Sequence, residues 1–168
     1  MPIAQTLLPE FDHEMATTRT LLERVPDGKG DWKPHERSMA LGYLANHIAT
    51  LPQYANTALE GTEMDMNPPG GKKYQMAEFN SVQERLAAFD TGVKRAREAI
   101  AATPDSDMHV MWSLKNGGET MLSLPRVAVL RSFMMNHLIH HRGQLSVYLR
   151  LLDVPLPSIY GPTADTPM

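Results

Sequence analysis

Two histidines, His137 and His141, lie four residues apart in a segment whose apolar residues recur at three- and four-residue steps. In an α-helix this spacing places both imidazole rings on one face, one turn apart, and here that face is the apolar one. Neutral imidazole is the commonest metal ligand in proteins, so the pair could supply two ligands of a metal site. A hydrogen-bonded pair of core histidines is the alternative interpretation of the same spacing.

A third histidine, His47, lies on the buried face of an earlier predicted helix. Ala40, Leu44 and Leu51 mark that face, and His47 falls on the same line. If the two helices pack together, three neutral imidazoles can meet at one point. Because such spacing is only moderately specific, two hypotheses remain open: a three-histidine metal site, or a cluster of core histidines satisfied by hydrogen bonds.

Four long helices are predicted to position these histidines. Their apolar residues follow the helical period over about residues 4–25, 39–60, 79–100 and 124–152. Pro52 is expected to kink the second helix one turn after His47 without ending it, because proline removes one backbone donor. Ser38 and Ser123 are suitable N-caps for the second and the last helix.

The connections between these helices hold further candidates. Trp32 is expected to pack over one end of the core, or alternatively to form a wall of the pocket. Residues 61–74 are rich in proline and glycine and predict a loop. Residues 105–123 fit either a short β-hairpin closed by Gly117 and Gly118 or an irregular loop. The proline-rich tail could pack four apolar residues against the helices, namely Val154, Leu156, Ile159 and Tyr160.

Composition is typical of a globular protein and excludes several classes. The 168 residues fit a single domain, 1–168, with 42% hydrophobic and 21% charged residues. A net charge of −3 with scattered lysine and arginine argues against nucleic-acid binding. No apolar run approaches the ~20 residues of a membrane span, and the N-terminus lacks a signal-peptide pattern, so we expect a cytoplasmic protein. The lack of cysteine excludes disulfides, thiolate zinc sites and a cysteine nucleophile.

Four segments of the chain resemble the DinB/YfiT-like family of metalloenzymes. They are the Leu41–Ala49 segment, the Trp112–Arg126 segment, the His137–Leu145 segment with its His141-Arg142-Gly143-Gln144 element, and the Pro155–Pro162 tail. The resemblance implies an all-α four-helix bundle with an up-down-down-up connection, and a homodimer. It also implies a divalent metal held by His47, His137 and His141. Relatives include thiol transferases, a mycothiol-dependent isomerase and proteins induced by DNA damage, so family membership does not determine a reaction.

Three histidine ligands leave at least one position open on a four-coordinate ion, which is the pattern of catalytic zinc sites. Zinc is the first expectation and nickel the second, because imidazole suits both. The main functional hypothesis is therefore a metal-dependent hydrolase or a small-thiol-dependent transferase with a small-molecule substrate. The alternative is a non-catalytic, stress-related protein with a structural metal.

Residues around the proposed ligands are harder to assign. Arg142 is a candidate for holding an anionic substrate or a carboxylate partner, with a salt bridge in a helix or dimer as the alternative. Gln144 is expected at the surface or against the tail. His140 is not included among the metal ligands, because on a helix it points about 100° away from His141. Spacing places no carboxylate in the site, so no general acid or base is assigned.

Overall fold

The protein is mostly helical, as its periodicity predicts, but it also contains a small sheet. The computed structural model describes residues 1–166. Its α-helices are α1 (Ile3–Leu22), α2 (Leu41–Thr50), α3 (Gln53–Glu60), α4 (Val82–Ala102), α5 (Asp105–Met108), α6 (Arg126–Ala128) and α7 (His137–Leu151). A π-helical segment, Val129–Asn136, joins α6 directly to α7. Three strands, β1 (Glu63–Asp65), β2 (Met111–Asn116) and β3 (Glu119–Pro125), form one sheet, so the all-α prediction was wrong in this respect.

The hydrophobic core lies between the long helices. Helix α1 packs against α4 and α7, and α2 packs against the same two helices. Apolar residues at helical spacing are fully buried there, among them Phe11, Leu44, Ile48, Phe89 and Leu145. The up-down-down-up order of a four-helix bundle stays a prediction. Within residues 1–166, no helix combines the length and the apolarity that crossing a bilayer requires.

Pro52 separates two helices where a single kinked helix was predicted. Helix α2 ends at Thr50 and α3 begins at Gln53, with Pro52 as the residue before α3. Proline fits this position because it has no N–H to donate and its φ angle is already helical. His47 therefore lies in the last turn of a short helix.

The predicted N-caps Ser38 and Ser123 were both wrong. Ala40 precedes the first residue of α2, and Pro125 precedes α6. Ser123 belongs to strand β3, where its hydroxyl lies 3.1 Å from that of Ser113 on β2. A serine before an apolar run fits a cap and a strand end equally well, so the sequence pattern could not separate the two.

Of the two alternatives for residues 105–123, the structure shows the hairpin. Strands β2 and β3 pair antiparallel, and Gly117 and Gly118 close the turn with φ angles of 66° and 85°. Positive φ at both central residues is the requirement of the tight hairpin turn that glycine satisfies best. Strand β1 pairs in parallel with β2, which places Glu63 opposite Ser113. The loop predicted over residues 61–74 is therefore interrupted by a strand.

Asp65 joins this strand to the hairpin turn. Its carboxylate accepts hydrogen bonds from the backbone N–H groups of Asn67 (2.9 Å), Gly117 (2.9 Å) and Gly118 (2.7 Å). These bonds, with that from Asn67 contributing most, lower the pKa of the Asp65 carboxyl. The Asp65 carboxylate thus links the β1 segment to the hairpin turn through hydrogen bonds.

We expect Asp65→Ala to loosen the hairpin turn without unfolding the helices, because three backbone donors lose their common acceptor. Amide hydrogen exchange at Gly117 and Gly118 should accelerate, while exchange in α4 should stay unchanged. Glu119→Gln, on the same hairpin, is the matched control. Unchanged exchange at both glycines in Asp65→Ala would show that the Asp65 carboxylate does not stabilise the turn.

Candidate metal centre

Three imidazole rings meet where α2 packs against α7. The Nε2 atoms of His47 and His137 are 3.3 Å apart. One ligand nitrogen from each of His47, His137 and His141 lies within 4.8 Å of the other two. The ring centroids are 4.7 to 5.0 Å apart. The structure therefore brings together the three residues that the sequence placed on two buried helix faces, in a geometry compatible with one divalent metal ion.

The π-helical segment ends immediately before His137. A π-helix closes its hydrogen bonds over five residues instead of four, and such segments occur frequently at functional sites. The carbonyl oxygen of Phe133, inside this segment, lies 3.3 Å from His137 Nδ1. One uninterrupted α-helix had been predicted over 124–152. That prediction was wrong because eight residues of wider winding barely change the apolar pattern of the sequence.

Hydrogen bonds at Nδ1 indicate which nitrogen is free in two of the rings, those of His137 and His141. A carbonyl oxygen can only accept, so His137 carries its proton on Nδ1 and presents a lone pair on Nε2. His141 Nδ1 lies 2.7 Å from Gln144 Oε1, and the same reasoning leaves the Nε2 atom of His141 unprotonated. Metal-binding histidines usually have their second nitrogen bound to such an acceptor, which fixes the ring and its tautomer.

Gln144 contacts the histidine cluster, which the sequence analysis did not predict. It was expected at the surface or against the tail, but its amide oxygen accepts from His141 and its Nε2 lies 3.2 Å from His140 Nε2. The available signal was the three-residue spacing from His141, which places both side chains on one helix face. His140 is exposed and lies outside the trio, as predicted.

Burial keeps these rings neutral. Desolvation, followed by repulsion from His141 and His137, lowers the pKa of His47 to about 4. Desolvation is also the main cause that lowers the pKa of His137 and of His141. Metal ions bind the neutral ring, so this donor set needs no proton release at pH 7. A tetrahedral ion with Zn–N bonds of 2.0–2.1 Å would hold its ligand nitrogens about 3.3 Å apart, as seen between His47 and His137.

The lowered pKa values predict that the metal-free protein loses stability in mild acid. Between pH 6.5 and 4 these histidines are protonated in the unfolded chain but remain neutral in the folded chain. The free energy of unfolding therefore falls as the pH decreases. For His47, allowing for solvent screening, the loss from pH 7.5 to 5 is about 1–2 kcal/mol. Urea denaturation at the two pH values measures it.

A His47→Gln variant should show a smaller difference between pH 7.5 and 5, whereas replacement of the exposed His35 should leave it unchanged. Equal acid sensitivity in wild type and His47→Gln would mean that other groups cause the effect.

A cavity of about 750 Å³ opens beside His47. Tyr43, Tyr54, Tyr74 and Glu78 contribute to its wall. Burial raises the pKa of the Tyr54 hydroxyl, which therefore keeps its proton and remains a hydrogen-bond donor. Glu78 provides the cavity with a carboxylate, which no helical spacing could have placed there because it lies in an irregular segment.

Arg142 makes its contacts on the side of α1 and the tail. It is 1% exposed, and its Nη1 lies 2.7 Å from Glu14 Oε2. Its Nη2 donates to the hydroxyl of Tyr160 (2.7 Å), which in turn lies 2.8 Å from both carboxylate oxygens of Glu14. The contact observed is a salt bridge between α7 and α1, which corresponds to the structural alternative for Arg142.

Trp32 is half-buried, and its ring packs edge-on against Tyr148 with the centroids 5.6 Å apart. Tyr148 lies two helical turns beyond the histidine pair on α7. The contact of Trp32 with Tyr148 fits the first of its two predicted roles, packing over one end of the core.

Gln144→Leu should weaken zinc binding by about 10- to 100-fold, because His141 loses the acceptor that orients its ring. Gln144→Glu should retain most of the affinity, since a carboxylate accepts the same Nδ1–H bond. Competition with a chromogenic chelator measures both. Equal affinity of the leucine variant and wild type would show that Gln144 does not orient the ring.

The fold and the site together define a mostly helical protein with a three-histidine cluster that is compatible with a divalent metal. The chain belongs to the DinB family, whose sequence profile matches residues 1–167.

Two solved structures with this fold come from bacilli. One is a DinB-like protein from Bacillus cereus ATCC 10987, with a TM-score of 0.70, 19% identity, and coverage of 91% of this chain and 95% of that chain. The other is the DinB-like protein YjoA from Bacillus subtilis, with a TM-score of 0.66, 20% identity, and coverage of 97% and 99%. At these identities the likeness establishes the fold. None of the curated proteins is significantly similar in sequence.

Proposed function

We propose that this protein binds a divalent metal through His47, His137 and His141 and acts on a small molecule at an open coordination position. The reaction would be a metal-dependent hydrolysis or a small-thiol-dependent transfer. The observation that carries this proposal is the convergence of three imidazoles, two of which have a hydrogen-bond partner at Nδ1 and one of which, His47, lines a cavity. Zinc remains the first expectation and nickel the second.

The ion would supply Lewis acidity that favours deprotonation of water or a thiol near neutral pH. The chain contributes orientation, since Phe133 and Gln144 fix two of the rings. It also contributes the Tyr54 hydroxyl as a donor and Glu78 as the carboxylate available to accept a proton in the cavity. A substrate that occupies this cavity would lie against these side chains and against His47.

Cobalt substitution tests the proposal. We expect one cobalt ion per chain, with visible absorption bands that shift when azide or a small thiol is added, because exogenous ligands reach an open position. His47→Gln is the control that should lose these bands. A spectrum that is unaffected by both ligands would contradict the enzymatic proposal. It would favour the alternative, a structural metal in a non-catalytic, stress-related protein.

We also propose a homodimer, the assembly that the family resemblance implies. Val147 and Leu151 lie four residues apart on α7 and are 58% and 57% exposed, which gives an apolar strip suited to a subunit contact. Sedimentation equilibrium of wild type and of Val147→Asp measures the assembly. A monomeric wild type would contradict it.

A further inference from the structure

A second cavity, of about 430 Å³, adjoins the one beside His47. The two share Tyr43, Met76 and Glu78 as wall residues, so they form neighbouring compartments. The far wall of the second compartment includes Asn46 and Arg85, on α2 and α4. Asn46 directly precedes His47 on α2, so the two compartments lie against neighbouring faces of that helix.

Arg85 lines this compartment and has one buried hydrogen-bond donor without a partner among the described residues. The residue is 4% exposed, and its Nε donates to Asn46 Oδ1 at 2.9 Å. Its Nη2 makes a long bond of 3.4 Å to the carbonyl oxygen of Phe79. Its Nη1 is buried and has no partner among the described residues. A buried charged donor without an acceptor is costly, and in folded proteins such a donor is normally paired with a protein group, an ordered water, an ion or a ligand.

The carboxylates nearby do not satisfy this guanidinium. Asp27, on the same wall, accepts from the backbone N–H of Val82 at the start of α4 (2.9 Å). Desolvation is the main effect on Arg85 and lowers its pKa from the ordinary value, against the opposing influence of Asp27 and Glu84. Arginine nevertheless remains charged in proteins, so the site holds a buried cation with one nitrogen unused.

The segment over Arg85 can yield to a ligand. Residues 72–80 have no regular secondary structure, and the Phe79 carbonyl is held by two long bonds, from Arg85 Nη2 and from Asn46 Nδ2 (3.3 Å). A ligand carboxylate could replace that carbonyl on Nη2 and supply the missing acceptor to Nη1. Two parallel N–H···O bonds of this kind are the strongest contact that a guanidinium makes.

The remaining charges on the wall select the kind of anion. Asp27, Asp31 and Glu78 contribute three carboxylates against the single guanidinium of Arg85. This balance repels a doubly charged phosphate, whereas it favours a ligand that carries an ammonium group beside its carboxylate. Free amino acids and the ends of short peptides have this chemistry.

We propose that Arg85 binds the carboxylate of a small zwitterionic ligand, an amino acid or a short peptide, whose other end extends towards the histidine cluster. Its identification as a substrate rests on the proposed function, but its binding does not require the metal. Glu78, shared by both compartments, faces the ammonium group. Arg85 is thus a specificity-determining residue.

NMR titration of the Arg85 Nε–H signal tests this proposal with four probes. L-Leucine carries both charges, N-acetyl-L-leucine lacks the ammonium group, L-leucinol lacks the carboxylate, and inorganic phosphate is a polyanion. We expect L-leucine to shift the Arg85 and Asn46 side-chain signals saturably, N-acetyl-L-leucine to bind about 10-fold more weakly, and the other two to leave both signals unchanged. Absence of a leucine-induced shift, or an equal shift with leucinol or phosphate, would overturn the proposal.

Three variants extend the test. Arg85→Lys should weaken leucine binding at least 10-fold, and Glu78→Gln should abolish the preference for leucine over its N-acetyl derivative. Arg95→Gln, on the exposed face of the same helix, should change neither. If Arg85→Lys does not fold, the wild-type titration still decides the question.

A zinc titration of the same sample separates this proposal from the proposed function. Zinc uptake without a leucine-induced shift would overturn the ligand site alone. A leucine-induced shift without zinc uptake would support the ligand site and contradict the metal-dependent function.

Discussion

His141→Ala should lower zinc affinity by about 100-fold or more while leaving the helical fold intact. Loss of an orienting partner alone typically costs 10- to 100-fold, and loss of a ligand removes the bond itself. His141 is 9% exposed, and its ligand nitrogen lies within 4.8 Å of those of the other two histidines. Each of those two already offers one ligand atom, so neither can replace the lost ring. Competition with a chelator measures affinity, and far-UV circular dichroism measures the fold.

His109→Ala is the matched control for this experiment. His109 is an exposed histidine at the end of α5 and is not part of the trio. Its replacement should leave zinc affinity unchanged. If His141→Ala and His109→Ala bound zinc equally well, the metal would bind somewhere other than the assigned cluster.

Arg142→Met should reduce the free energy of unfolding by about 3–5 kcal/mol, because it leaves the buried carboxylate of Glu14 without its cation. The side chains of Arg142 and Glu14 are 2% and 6% exposed, so water cannot replace the lost contact. Arg142 Nη1 also bonds the carbonyl oxygen of Glu14 (3.2 Å) and Thr18 Oγ1 (3.3 Å). The ion pair thereby joins α1 to α7 one residue after His141. Urea denaturation at pH 7 measures the change.

The double variant Glu14→Gln/Arg142→Met distinguishes a buried charge from lost packing. Since it removes both charges, it should be more stable than Arg142→Met alone. Arg131→Met breaks an exposed pair with Glu10 and should change stability only slightly. A double variant as unstable as Arg142→Met would show that the loss comes from packing.

Sequence reasoning located the histidines because helical periodicity records which face of a helix is buried. The apolar faces of two predicted helices are interrupted by histidines, namely His47, His137 and His141. In a small domain with one core, two buried helix faces usually pack against each other. The same periodicity predicted both ends of α1 and α4 within three residues, and the end of α7 within one residue. It had no information on winding, so it missed the π-helical segment before His137.

Sequence periodicity could not predict contacts between parts of the chain that are far apart in sequence. Strand β1 is three residues long and is defined by its pairing with β2 about fifty residues later. Glu14 and Arg142 are 128 residues apart, and neither reveals its partner through local pattern. The contact between Gln144 and His141 differs from these, because the two residues are three positions apart on one helix and their contact could have been predicted from the sequence.

X-ray absorption spectroscopy of the zinc-loaded protein counts the imidazole ligands of the proposed metal site. We expect one zinc ion per chain with three imidazole nitrogens at about 2.0–2.1 Å and one further light atom from outside the protein. We also expect one imidazole contribution to disappear in a His47→Gln sample. Zinc lost on dialysis, or a wild-type spectrum with fewer than three imidazoles, would contradict the three-histidine site.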